Sequence, residues 1–170
     1  RYPYLDLDRV GVTGFSGGGY MTAVAMLRFG DFFKVGVAGA GNYDQRLFWH
    51  TWGERYQGPV DGDNYLPQAA LTYAKDLKGK LMFVHGLADF GCHPAALFQL
   101  TQALIDAEKD FDLTLQPQAG HEMTGWAQRR QWDYFVRNLA GLEPPPPVAH
   151  KSTFDILKER LMKSAGLGGE

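Results

Sequence analysis

Two kinds of hydrophobic pattern alternate along this chain. Short apolar runs bounded by glycine recur as "RVGVTGF" (9–15), "FKVGVAGAG" (33–41) and "KLMFVHG" (80–86). Runs this short, with no polar alternation, predict strands buried on both faces. "FDLTLQP" (111–117) alternates and predicts a fourth strand. Between them, "YMTAVAMLRF" (20–29) is rich in Ala, Met and Leu and predicts a helix closed by Gly30. "YLPQAALTYAKDL" (65–77) predicts a short helix with Pro67 in its first turn. "PAALFQLTQALIDAEKD" (94–110) places Leu97, Leu100 and Leu104 at helical spacing. "TGWAQRRQWDYFVRNLAG" (124–141) predicts a long amphipathic helix with Trp126, Trp132, Phe135 and Leu139 facing inward. The aromatic stretch "NYDQRLFWHTWGERYQG" (42–58) shows no clean period.

Strands alternating with helices predict a parallel sheet flanked by helices, because parallel strands need crossover connections. No internal repeat is visible. "EPPPP" (143–147) cannot continue a helix and marks a boundary, giving residues 1–142 as one unit and 143–170 as a linker and tail. In the tail, Ser152 and Asp155 have capping-box spacing, and Phe154, Leu157 and Leu161 form one apolar stripe. Such a stripe is expected to pack back on the domain or against a partner.

Composition narrows the function classes. With 45% hydrophobic and 21% charged residues, 170 residues suffice for one well-filled core. A formal net charge of −2 gives no footprint for nucleic acid or an anionic membrane. No run approaches the roughly 20 apolar residues of a membrane span. The single cysteine, Cys92, rules out an internal disulfide and is expected to be a small buried hydrophobe. Nothing in these residues indicates a compartment.

The chemistry centres on Gly14-Phe15-Ser16-Gly17-Gly18, a Gly-x-Ser-x-Gly pentapeptide between a predicted strand and a predicted helix. That is the context of a nucleophile elbow, where small residues on either side of the serine allow close backbone approach. The N–H of Gly17 would then face a developing oxyanion. A phosphate-binding reading lacks both the Gly-Lys-Ser/Thr ending and a Gly-x-Gly-x-x-Gly fingerprint. A plain glycine-rich turn stays open on the pentapeptide alone.

A serine hydroxyl needs a base, and the base needs an orienting carboxylate. In α/β folds with this elbow the chain order is serine, acid, histidine. Asp89 follows the third predicted strand and His121 the fourth, both at C-terminal strand ends where open α/β sheets build sites. His85 is expected to be a satisfied structural residue. His93 shares the acid's loop, while His50 and His150 lie in the aromatic stretch and the tail. Asp89, Cys92, His93 and His121 lack the pair spacings of common metal sites, so neither metal nor cofactor is expected.

Together, "DLDRVGVTGFSGGGYMTAVAMLRFGDFFKVGVAGAGNYD", "WGERYQG", "GKLMFVHGLAD" and "GHEMTGWAQRRQWDYFVRNLAG" resemble the catalytic domain of the prolyl oligopeptidase family of serine peptidases, in its dipeptidyl-peptidase-IV-like branch. The resemblance runs from about residue 3 to 145. It implies an α/β-hydrolase fold and hydrolysis of short peptides, often after proline or a small apolar residue. By position it implies Ser16 as nucleophile, Asp89 as acid, His121 as base and Gly17 as an oxyanion donor. Trp52 and Phe48 match positions of aromatic pocket walls, and Tyr20 is grouped with them as substrate-binding. Relatives read Asp-Asp-Asn-Val where this chain has Asp89-Phe90-Gly91-Cys92, and glycine where it has Glu122.

The family also has earlier strands, a second oxyanion donor and a substrate-gating β-propeller ahead of the elbow. The chain is therefore expected to be the C-terminal part of an α/β-hydrolase peptidase domain in a longer protein. Made alone, it is expected to be weakly active or inactive and to associate through an open sheet edge or the tail helix. The rival readings are an ester hydrolase with the same triad and a non-catalytic scaffold.

Overall fold

Four parallel strands carry the fold: β1 (Gly11–Phe15), β2 (Val35–Gly39), β3 (Lys80–Gly86) and β4 (Asp112–Gln116), in the order β1-β2-β3-β4. The structure is a computed structural model and describes residues 2–147 and 153–164. Val35 pairs with Gly11 on one side and Lys80 on the other, and Met82 pairs with Asp112. The register puts all four C-terminal strand ends at one edge of the sheet.

The apolar runs reflect burial on both faces, as expected for a covered parallel sheet. From β3, Leu81 and Phe83 enter a core with Met26 and Leu27 of α1 (Gly17–Arg28) and Leu97, Leu100 and Leu104 of α3 (Pro94–Asp106). Met82 and Val84 alternate to the opposite face, where they meet Val35, Val37 and the helix α4 (Gly125–Asn138). Three layers result, helices–sheet–helix. The fold is the α/β-hydrolase type that the sequence predicts, with a parallel sheet flanked by helices.

Three expectations need correction. The aromatic stretch is helical: a 3₁₀ turn at Gln45–Leu47 leads into the helix α2 (His50–Gln57). Residues 65–77 form two 3₁₀ segments, Leu66–Gln68 with Pro67 inside it and Ala70–Asp76, in place of one α-helix. On α4 the inward face is Ala127, Gln131 and Tyr134, while Trp126 and Trp132 are more than half exposed. Phe135 and Leu139 do pack against the core.

The reason for that rotation is polar. The Thr13 hydroxyl of β1 donates to Gln131 Oε1 (3.0 Å), and the Tyr134 hydroxyl donates to the Asp112 carboxylate of β4 (3.0 Å). Hydrogen bonding offsets the cost of burying a polar group, so an apolar-stripe count misplaces such a face.

After Asn138 the chain runs without regular structure through 147, and the tail helix α5 spans Thr153–Ser164. Leu157 and Leu161 of the expected stripe are exposed. Ser152 and His150, and the side chains of Phe154 and Asp155, lie outside what is described.

Candidate active site

β1 delivers Ser16 directly from its C-terminal end into the first turn of α1. Ser16 has φ 59° and ψ −122°, a conformation that costs a residue with a Cβ about 1–3 kcal/mol. Its N–H donates to Gly39 O (2.8 Å), which pins the bend to β2. Gly17 opens α1, so its N–H has no carbonyl of its own helix to pair with.

The glycines divide sharply. A Cβ on Gly14 would lie 2.3 Å from Gly18 O, and one on Gly19 would lie 2.1 Å from Gly39 O. Around Gly17 and Gly18 a Cβ would meet nothing within 4 Å. The steric need on the C-terminal side therefore falls on Gly19, one residue beyond the pentapeptide. Gly19→Ala is expected to destabilise the protein by about 3 kcal/mol and to displace the carbonyl that holds Ser16. Gly18→Ala should be near neutral. Thermal melting of the two variants side by side checks this, and equal melting temperatures would contradict it.

β3 and β4 bring in the other two groups. His121 Nε2 lies 2.9 Å from Ser16 Oγ, and His121 Nδ1 lies 2.7 Å from Asp89 Oδ2. Asp89 is 1% exposed, and its second oxygen accepts from the N–H groups of Gly91 (2.9 Å) and Cys92 (2.8 Å). A carboxylate so engaged can only accept at Oδ2, so Nδ1 of His121 carries the proton and Nε2 offers its lone pair to the serine. Phe15 supports the imidazole, ring centroids 4.9 Å apart.

The other histidines take different places. His85 is fully buried and donates from Nε2 to Cys92 O (2.7 Å), while its Nδ1 has no partner among the described residues. It is therefore structural but only half satisfied, and burial holds its pKa below the ordinary imidazole value. His93 Nδ1 accepts from Ala95 N as the N-cap of α3. Cys92 is buried, as expected, but it lines the site rather than a remote core, and burial pushes its thiol up to about 11. Ligand-capable atoms of Asp89, Cys92 and His121 lie within 4.8 Å of one another. The carboxylate and imidazole in that group are already committed to each other and to Ser16, an arrangement suited to moving a proton.

Beside Ser16 opens a cavity of about 610 Å³. Phe48, Trp52 and Tyr20 all line it. Trp49 and Tyr56 line it too, and the sequence reading missed both. Trp49, Trp52 and Tyr56 recur at helical spacing, a signal that Phe48 next to Trp49 obscures. Phe48 stacks on Trp49 (5.7 Å, 11°), and Trp52 lies 4.8 Å from Tyr56. The Tyr20 hydroxyl donates to Gln68 O (2.6 Å), so Tyr20 presents its ring as a wall. Asn42, Gln45 and Gly91 complete the lining along with Cys92. A larger cavity, about 680 Å³ along β1 and α4, contains none of the Ser16, Asp89 or His121 chemistry.

The sequence profile of the prolyl oligopeptidase family matches residues 1–141. Dipeptidyl peptidase 8 of Homo sapiens is 36% identical over 129 residues, which cover 72% of this chain and 14% of that protein. The solved structure of Porphyromonas gingivalis dipeptidyl peptidase 4 superposes with a TM-score of 0.77 at 30% identity, covering 81% of this chain and 20% of that one. Pyrococcus horikoshii acylaminoacyl peptidase superposes with a TM-score of 0.71 at 26% identity, covering 92% and 27% respectively. The chain thus spans about a quarter or less of the length of each of these relatives.

Proposed function

The chain belongs to the prolyl oligopeptidase family, and we propose that its Ser16, His121 and Asp89 form the catalytic centre of a serine peptidase acting on short peptides. The observation that carries this reading is the unbroken relay from Asp89 Oδ2 through His121 to Ser16 Oγ, at 2.7 and 2.9 Å, on a strained strand-to-helix bend.

In the acylation step Ser16 Oγ bonds to the scissile carbonyl carbon while His121 Nε2 takes its proton. Asp89 steadies the imidazolium through Nδ1. The carbonyl oxygen, now negative, accepts from the Gly17 N–H, a donor fixed before charge develops. Collapse breaks the C–N bond, and the leaving amine carries away the proton from Nε2. Water, deprotonated by the same nitrogen, then attacks the acyl-serine, and Ser16 is regenerated.

Phe48, Trp52 and Tyr20 give the cavity flat apolar walls that suit a ring or an aliphatic chain. On this reading the second oxyanion donor and a substrate-gating β-propeller are further parts of the same protein. The test is turnover by the full-length protein of a chromogenic dipeptide anilide against a short-chain ester. Peptide turnover with kcat/KM of about 10⁴ M⁻¹s⁻¹ or more is expected. Ester hydrolysis with no peptide cleavage would replace the peptidase reading with an ester hydrolase.

A further inference from the structure

Two side chains in the cavity are chemically uncommitted. Asn42 is 6% exposed and Gln45 8% exposed, and both line the cavity that holds Ser16. Among the described residues neither carboxamide makes a side-chain hydrogen bond, and Gln45 Oε1 is buried without a partner. Buried polar groups are nearly always paired, and one left unpaired costs about 1–3 kcal/mol. Gln45 bears one such atom, and Asn42 beside it in the same lining has a carboxamide with no protein partner among the described residues; both are explained if the partner is the substrate.

The position of Gln45 is held from outside the cavity. Asp44, 1% exposed, is the N-cap of the 3₁₀ turn that carries Gln45, accepting from Arg46 N (2.9 Å). The Arg46 guanidinium clamps the same carboxylate at 2.6 Å. Gln45 thus sits on a fixed backbone, as a recognition group should. None of the cavity's lining residues carries a carboxylate, an ammonium or a guanidinium. A charged substrate group would therefore be desolvated there without a counter-charge.

We propose that this cavity selects, at the residue supplying the scissile carbonyl, a neutral side chain that both donates and accepts hydrogen bonds, a hydroxyl or a carboxamide, read by Asn42 and Gln45. The aromatic walls hold the apolar part of that side chain, and the two carboxamides hold its polar end. The inference rests on the peptidase reading above and adds the substrate class to it. A site built to hydrogen-bond rejects the matched apolar analogue, because its own groups are then left unpaired.

The test uses the full-length protein and dipeptide anilides in matched pairs at that residue: valine with threonine and leucine with asparagine, which are isosteric, and proline with 4-hydroxyproline, which adds one hydroxyl. The polar member is expected to have the higher kcat/KM, by roughly tenfold or more in the best-cleaved pair. Gln45→Met, similar in length but unable to donate or accept in this way, should shrink or invert that ratio. Asn42→Leu provides the same comparison should Gln45→Met fail to fold. Preference for the apolar member in all three pairs would overturn the inference, as would an unchanged ratio in a folded Gln45→Met. Cleavage of esters but of no anilide in the panel would instead count against the peptidase reading itself.

Discussion

Ser16→Ala in the full-length protein is expected to lower kcat by roughly 10⁴-fold or more, with KM little changed. The size follows from what the hydroxyl does. In the proposed mechanism it forms the bond to the substrate and is the group that the relay deprotonates, so no neighbouring side chain replaces it. Cys92, a second nucleophile in the cavity lining, has its thiol pushed up to about 11 by burial and stays protonated near neutrality. Alanine leaves the hydrogen bond from the residue 16 N–H to Gly39 O intact, so the elbow and the melting temperature should be preserved. Steady-state kinetics with circular dichroism on the same preparation checks both halves of the expectation. A variant that kept a tenth of the activity would place the nucleophile elsewhere.

Asp89→Asn is expected to cost nearly as much, roughly 10⁴-fold in kcat, through the tautomer of His121. Oδ1 of Asp89 accepts from two backbone N–H groups, those of Gly91 and Cys92. An asparagine must keep its carbonyl oxygen there, which turns its amide NH₂ toward His121 Nδ1. That nitrogen must then accept, its proton moves to Nε2, and Nε2 faces Ser16 as a donor with no lone pair to offer. The loop hydrogen bonds survive, so the variant should fold. Asp89→Ala loses them as well and should lose stability in addition to rate. Kinetics and melting curves for the pair separate orientation from support. Equal activity of Asp89→Asn and the wild type would remove Asp89 from the relay.

Both expectations rest on positions that the sequence makes visible for definite reasons. β3 stands out because a strand covered on both faces is apolar at every position, and Leu81 to Val84 leave no polar face to confuse with a helix. The elbow is visible because Gly14 has no room for a Cβ. Asp89 and His121 follow from strand ends and chain order. The hidden features are polar or exposed. The helix α2 turns its aromatic face to the cavity, so Trp49, Trp52 and Tyr56 are solvated where a core stripe would be buried. The inward face of α4 contains Gln131 and Tyr134, whose partners Thr13 and Asp112 lie far off in sequence. Asn42 and Gln45 look like loop polarity until the cavity places them beside Ser16. Local composition reports which face is apolar, but not which polar residue finds a distant partner.

The most direct measurement is covalent capture of the nucleophile. The full-length protein is treated with a fluorophosphonate, digested, and the modified peptide is sequenced by mass spectrometry. The relay at 2.7 and 2.9 Å predicts one adduct, on Ser16, formed rapidly in the wild type and roughly 10³-fold or more slower in His121→Ala. An adduct on another residue, or labelling of Ser16 at the same rate without His121, would contradict the assignment of this site as the catalytic centre.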